Sequence, residues 1–213
     1  MHANYWHERW DENRIGFHNA EAHVMLVRHF AALGLAKGTR VFVPLCGKSR
    51  DIGWLLAQGC RVAGAELSRV AIEQLFKELG VVPEISKVGA LERFTAPGLE
   101  IFVGDIMALK QSVLGPVDAV YDRAALVALP SEMRRAYAAH VTLITGSAAQ
   151  LLISFDYDQA EMAGPPFSVP DEELRSLYGT DFQLDLLEST AVDGGLKGFC
   201  PALETCWHLR AGS

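Results

Sequence analysis

Seven predicted strands, five alternating with helices and the last two joined by a short link, assign this sequence to the α/β class. The alternation predicts a mainly parallel sheet with helices on both faces, and the short link predicts one antiparallel strand at the sheet's edge. The 213 residues are 50% hydrophobic and 21% charged, enough for one substantial core, so a single domain over 1–213 is expected.

The chain is organised around 41–66, VFVPLCGKSRDIGWLLAQGCRVAGAE. Residues 41–43 are a β-branched and aromatic run, 45–49 a small-residue turn, 51–58 helical in spacing with Gly59 as a left-handed cap, and 61–65 a second apolar run. Ahead of this unit lies an aromatic-rich arm over 1–18, with Tyr5, Trp6, Trp10, Ile15 and Phe17. Its spacing fits neither a long amphipathic helix nor a strand; it either packs on the core or closes as a lid over a pocket. Asn19 then reads as an N-cap and Gly34 as a stop for a helix carrying Ala22, Met25, Leu26, Phe30 and Leu33. His18, His23 and His29 in this region read as surface or capping residues, because no acid or cysteine completes a metal ligand set.

After Glu66, Ser68 caps a helix with Ile72, Leu75, Phe76 and Leu79 that ends at Gly80. Residues 81–97, interrupted by Pro83, Gly89 and Pro97, read as a loop or short hairpin. Leu99–Val103 is the third strand and leads into Gly104-Asp105-Ile106; 117–121 is the fourth and leads into Asp122-Arg123. Ser131 starts a helix that Gly146 ends, with His140 on its apolar stripe, and 150–155 is the fifth strand. The long loop through Pro170 holds Gly164-Pro165-Pro166-Phe167, whose prolines fix where Phe167 points. A short helix over Asp171–Tyr178 precedes the closing strands at 182–187 and 205–209.

Nineteen basic against 26 acidic residues give a net charge of −7, which favours neither nucleic acid nor an anionic membrane; the expected partner is a small molecule. With no apolar run of transmembrane length and no signal-peptide core around Asn4, His7, Glu8 and Arg9, the expected location is the cytosol. Cys46, Cys60, Cys200 and Cys206 lack C-x-x-C spacing and read as free buried thiols.

The turn at 45–49 narrows the ligand. Gly47-Lys48-Ser49 resembles the end of a phosphate-binding loop, but the glycine such a loop needs five residues earlier is Phe42. A dinucleotide fingerprint is also missing, so a nicotinamide oxidoreductase is the alternative enzyme, and a cofactor-binding module without acceptor chemistry the alternative of another class. Glu66 stands about 20 residues beyond the turn, where a ribose-binding acid sits in nucleotide-binding α/β units. An adenosine ligand without phosphates, such as S-adenosylmethionine, needs only that acid and a tight turn. Asp105 reads either as an acceptor for an adenine amino group or as a cap, and Arg123 as a site residue or an ion-pair partner. Cys46 reads as a packing residue.

The stretch from Trp10 through Phe17-His18, the run Val43-Pro44-Leu45-Cys46-Gly47-Lys48, the strand end Ala65-Glu66-Leu67-Ser68, Asp122-Arg123-Ala124-Ala125-Leu126-Val127-Ala128, and Gly164-Pro165-Pro166-Phe167-Ser168-Val169-Pro170 together resemble the bacterial thiopurine S-methyltransferases, in order along nearly the whole chain. The resemblance implies a Rossmann-like class I methyltransferase fold and a monomeric, metal-free enzyme. It implies methyl transfer from S-adenosylmethionine to an aromatic or heterocyclic thiol, or to selenium or tellurium compounds. It also implies that Trp10, Leu45, Glu66, Asp105, Ile106 and Arg123 border the cofactor, with Glu66 on the ribose and Arg123 at the reacting end. Phe17 matches an acceptor-side aromatic, with Phe167 beside the acceptor; Lys197 is a basic residue in a late link whose local sequence differs from the family's.

Overall fold

The structure is a computed structural model that describes residues 3–12 and 21–212. Its sheet is built from β1 (Arg40–Val43), β2 (Arg61–Glu66), β3 (Glu84–Val88), β4 (Leu91–Ala96), β5 (Leu99–Val103), β6 (Ala119–Arg123), β7 (Ala149–Asp156), β8 (Phe182–Ala191) and β9 (Leu203–Ala211). The strand order is β3-β4-β5-β2-β1-β6-β7-β9-β8. Strands β5, β2, β1, β6 and β7 run parallel, joined through helices, and β9 runs antiparallel to both β7 and β8. β4 likewise runs antiparallel to β5 and β3, so in place of the one antiparallel edge strand expected there are two, β4 and β9, each one place in from an edge taken by β3 and β8.

Period-2 alternation in the strands divides the buried side chains between two faces. Val41, Val43, Val62 and Ile101 pack with Met25 and Leu26 from α2 (Val24–His29), Ile52 and Leu55 from α3 (Arg50–Ala57), and Ile72 and Phe76 from α4 (Arg69–Leu79). Phe42, Ala63, Phe102 and Leu152 face the other way, against Leu114 of α5 (Gln111–Leu114), Val141 and Ile144 of α6 (Ser131–Thr145), and Leu174 of α7 (Asp171–Tyr178). Ser68 caps α4 through a bond from Ala71 N, and Gly80 ends it at φ +70°.

Of the two readings of 81–97 the hairpin is the one found, and its strands β3 and β4, not counted among the seven expected, bring the described strands to nine; its prolines and glycines stand at the strand ends, and Leu91 and Phe94 bury against β5. The first part of the arm is a helix, α1 (Ala3–Asp11), whose Trp6 and Trp10 share one face at i, i+4. Asn19 lies outside the described residues; the N-cap of α2 is His23, whose Nδ1 accepts from Met25 N at 3.3 Å. All four cysteines are free and buried. Among the described residues no helix is long and apolar enough to cross a membrane, and no group of His, Cys, Asp and Glu could hold a metal.

The pair at the end of β6 divides by strand parity. Asp122 is fully buried, accepting from Tyr137 Oη at 2.7 Å and Leu126 N at 3.1 Å, which anchors the turn after the strand. Burial pushes its carboxyl from 3.8 up to about 6, against those bonds. The folded protein therefore holds this proton more tightly than the unfolded chain, so the contribution is fully present below about pH 4 and is lost as pH rises through about 6. In urea denaturation, wild type minus Asp122→Asn should lose about 3 kcal/mol across that window, at 1.36 kcal/mol per pKa unit. Parallel pH profiles in the two proteins would contradict the assignment.

Candidate active site

The strand order reverses direction between β1 and β6: the chain builds outward from β1 through β2 to one side and through β6 and β7 to the other. Open α/β sheets bind ligands in the crevice beyond the carboxyl ends of their strands at such a point. A cavity of about 910 Å³ lies there, bordered by the turns after β1, β2, β5 and β6, the ends of β7 and β9, one side of α1 and the start of α6.

The turn after β1 is held by a carboxylate. Glu66, 6% exposed at the end of β2, accepts from Gly47 N through Oε2 and from Ser68 N through Oε1, both at 2.8 Å. Burial raises its pKa, while the bonds from Ser68, Gly47 and Leu67 pull the other way. Each carboxylate oxygen accepts more than one hydrogen bond, so both retain capacity towards the cavity. Gly47, at φ +50°, lets the Trp10 ring approach to where a side chain would start: a Cβ there would lie 3.0 Å from Trp10 Cζ2. Trp10 is 3% exposed as a result. Burial first, and then the Glu66 charge, push the Cys46 thiol well up, which keeps it protonated and packed rather than nucleophilic.

Arg123 leaves β6 on the face opposite Asp122 and enters the cavity, half-buried. Asp51, 1% exposed at the start of α3, accepts from its Nη1 at 3.2 Å, from Tyr121 Oη at 3.0 Å and from His23 N at 2.7 Å. A buried carboxylate with three donors fixes the guanidinium's place, and breaking such a pair typically costs about 3–5 kcal/mol.

Trp10, Leu45, Glu66, Asp105, Ile106 and Arg123 all line the cavity. Asp105 also caps the turn after β5, accepting from Met107 N at 2.9 Å through Oδ1, as its capping reading expects. Phe17 lies outside the described residues. Phe167 is a correction: it is not among the lining residues. Its N–H donates to Val127 O at 2.7 Å, its ring packs on the bare face of Gly164 and stands 5.8 Å from the Arg134 guanidinium, and Pro165 and Pro166 form the cavity wall instead. Lys197 does reach the cavity, donating to Pro165 O at 2.7 Å; burial and the neighbouring Arg9 lower its pKa.

Sequence reasoning missed Arg9, His23 and Glu204, which also line the cavity. Arg9 was hidden because the arm's helix was not recognised, and His23 because a capping role looked sufficient. Glu204 stands in a closing strand, Leu203–Ala211, that also carries Thr205, His208 and Arg210, so nothing local singled it out.

Replacing Gly47 tests the geometry of the turn. Gly47→Ala should destabilise the protein by more than about 1 kcal/mol, since alanine is strained at positive φ, and should displace Trp10 with a shift in tryptophan emission. Wild-type stability with unchanged emission would contradict the packing described.

Comparison with known proteins agrees with this geometry. A family model described as thiopurine S-methyltransferase matches residues 1–199. A thiopurine S-methyltransferase of Xanthobacter autotrophicus is 59% identical over 211 residues, covering 99% of each chain, and one of Gluconobacter oxydans is 50% identical, covering 97% of this chain and 94% of the relative. Among solved structures, 1,6-didemethyltoxoflavin-N1-methyltransferase of Burkholderia thailandensis, with bound S-adenosylhomocysteine, aligns with a TM-score of 0.65 at 16% identity, over 97% of this chain and 86% of that one. A TehB-like methyltransferase of Corynebacterium glutamicum aligns at 0.56 and 15%, over 98% of both. The structural likenesses establish a shared S-adenosylmethionine-dependent methyltransferase fold, and the sequence matches establish more: the chain belongs to the thiopurine S-methyltransferase family.

Proposed function

We propose that this protein transfers the methyl group of S-adenosylmethionine to the sulfur of an aromatic or heterocyclic thiol, through a single methyltransferase domain over 1–213 with residues 1–18 as its arm. The observation that carries the reading is the cavity at the switch point, with Glu66 at one strand end and Arg123 at another. The residues present suit the cofactor: Glu66 keeps acceptor capacity for ribose hydroxyls, and the bare face of Gly47 seats Trp10 against the turn, so that the ring lines the cavity beside it. When bound, S-adenosylmethionine supplies a methyl on a sulfonium sulfur, already activated for in-line displacement.

The protein's own work is then placement and exclusion of water. Trp10, seated on the Gly47 turn, and the Pro165-Pro166 wall cover the cavity from two sides. Arg123, held by Asp51, together with Arg9 and Lys197, gives the reacting end a cationic lining that favours an electron-rich, anionic acceptor. A thiolate is nucleophile enough that no covalent enzyme intermediate is needed, in keeping with the raised pKa of Cys46. Selenium and tellurium acceptors present the same kind of electron-rich atom. The reading extends to a monomer acting in the cytoplasm, where four free thiols are ordinary.

The test is formation of S-adenosylhomocysteine from S-adenosylmethionine with a panel of aromatic thiols, selenite and tellurite. Wild type should turn over at least one thiol. Arg123→Ala should lower turnover at least 10-fold, with the rate's pH dependence moving towards the free thiol's pKa, and Arg123→Lys should keep part of the rate without the planar fork. No transfer to any acceptor, or wild-type rates in Arg123→Ala at every pH, would overturn the reading.

A further inference from the structure

The cavity carries a second acid, at the end away from Glu66. Glu204 lies on β9 opposite Phe155 of β7, and both residues line the cavity. From β2 to β9 is four strand spacings, about 19 Å at about 4.8 Å each, so Glu204 faces the end of the cavity beyond Arg123. Among the described residues only its Oε1 has a partner, His23 Nε2 at 3.1 Å. Its side chain is 21% exposed, so Oε2 is left to the cavity.

His23 is set for that bond. Its Nδ1 accepts from Met25 N at 3.3 Å, which requires an unprotonated Nδ1 and leaves the ring proton on Nε2 to be donated to Glu204. Its backbone N–H donates to Asp51, the carboxylate that also fixes Arg123. One buried group therefore holds both the cation and the acid of the reacting end. The other acids of the cavity stand on other elements: Glu66 and Asp105 accept from backbone N–H groups near β2 and β5, and Glu132 lies in the first turn of α6.

We propose that Glu204 accepts the proton of the acceptor thiol and that His23 positions its carboxylate for this step; the proposal rests on the function proposed above. The S–H bond breaks and its proton passes to Oε2. The electron pair left on that sulfur forms the new S–C bond, while the methyl's bond to the sulfonium breaks with its pair staying on the cofactor sulfur. The products are a thioether, the neutral demethylated cofactor and a proton, which Glu204 releases at the solvent-exposed edge of the cavity. Arg123 stabilises the sulfur as charge develops on it.

The charged and titratable groups around Glu204 are these. His23 faces it from α2, and Asp51 and Arg123 lie one bond further on. Cys206, two residues along β9, has its thiol pushed up to about 12 by burial and by Glu188 and Glu204. Glu188 on β8 is itself tied to Arg28 and His29, and Arg9 and Lys197 line the same cavity. A purely structural reading would make the pair a link between α2 and β9.

Two variants separate the readings. Glu204→Gln removes the base; His23→Asn keeps a helix cap but loses the Nε2 donor. Turnover is measured across pH with one thiol that is protonated at neutral pH and one electron-poor aromatic thiol already ionised there. In parallel, calorimetry gives the affinity of the protonated thiol for the protein with S-adenosylhomocysteine bound. Glu204→Gln should lose about 100-fold in rate with the protonated thiol, the low end of general-base catalysis. That loss should shrink to under 3-fold above the thiol's pKa and with the ionised thiol, and binding of the protonated form should weaken about 10-fold. His23→Asn should show a smaller loss with the same pH signature. Equal losses for both thiols at every pH, or unchanged binding and rate, would overturn the proposal while wild-type turnover still upheld the function. Absence of wild-type turnover would overturn both.

Discussion

The hydrogen bond from Gly47 N to the Glu66 carboxylate is the interaction on which the rest of the site depends. It joins the turn after β1 to the end of β2, next to the bond from Cys46 N to Ala65 O at 2.9 Å. A carboxylate buried this deeply costs free energy unless donors meet it, and the backbone N–H groups of Gly47 and Ser68 do so at 2.8 Å each. Held this way, the turn keeps Gly47 at positive φ, and the open face of that glycine seats Trp10. Folding and ligand capacity thus share one side chain. Its desolvation is tolerated because the turn needs an acceptor, and the cavity inherits what remains of that acceptor's capacity.

Strain in the backbone is concentrated around the same cavity. Of the four non-glycine residues with positive φ among those described, Leu45, Ala124 and Lys197 line it, and only Ser147 lies elsewhere, at a helix end. Such conformations persist only where surrounding bonds over-determine them. Glu66 supplies those bonds after β1. After β6, Asp122 holds Leu126 N from below the sheet's edge while Asp51 holds Arg123 from above. The two carboxylates divide the task by strand parity, which explains why adjacent residues of β6 have such different surroundings.

Most of the sheet was legible in the sequence because its strands are buried on both sides and read as continuous apolar runs between clear caps. The hairpin at 84–96 was only one of two readings, since β3 is exposed over 84–87 and shows no apolar period. The site divides in the same way. Leu45, Glu66, Asp105 and Arg123 stand directly after predicted strands, so topology alone points them at the crevice. Arg9, His23 and Glu204 depend on how α1, α2 and β9 pack against that crevice, and no local pattern encodes it. Phe167 shows the opposite failure: the prolines did fix the loop, but the bond from Phe167 N to Val127 O turned its ring towards Gly164 and brought Pro165 and Pro166 to the wall.

The central claim is that Glu66 makes this cavity a site for an adenosine ligand without phosphates. Calorimetric titration of wild type and Glu66→Gln with S-adenosylhomocysteine and with NADH tests it most directly, with thermal melts to confirm that the variant is folded. The account predicts one saturable site for S-adenosylhomocysteine, none for NADH, and a loss of about 1.5 to 3 kcal/mol in the variant, the range for hydrogen bonds to a charged group. Binding of NADH without S-adenosylhomocysteine, or unchanged affinity in folded Glu66→Gln, would contradict it.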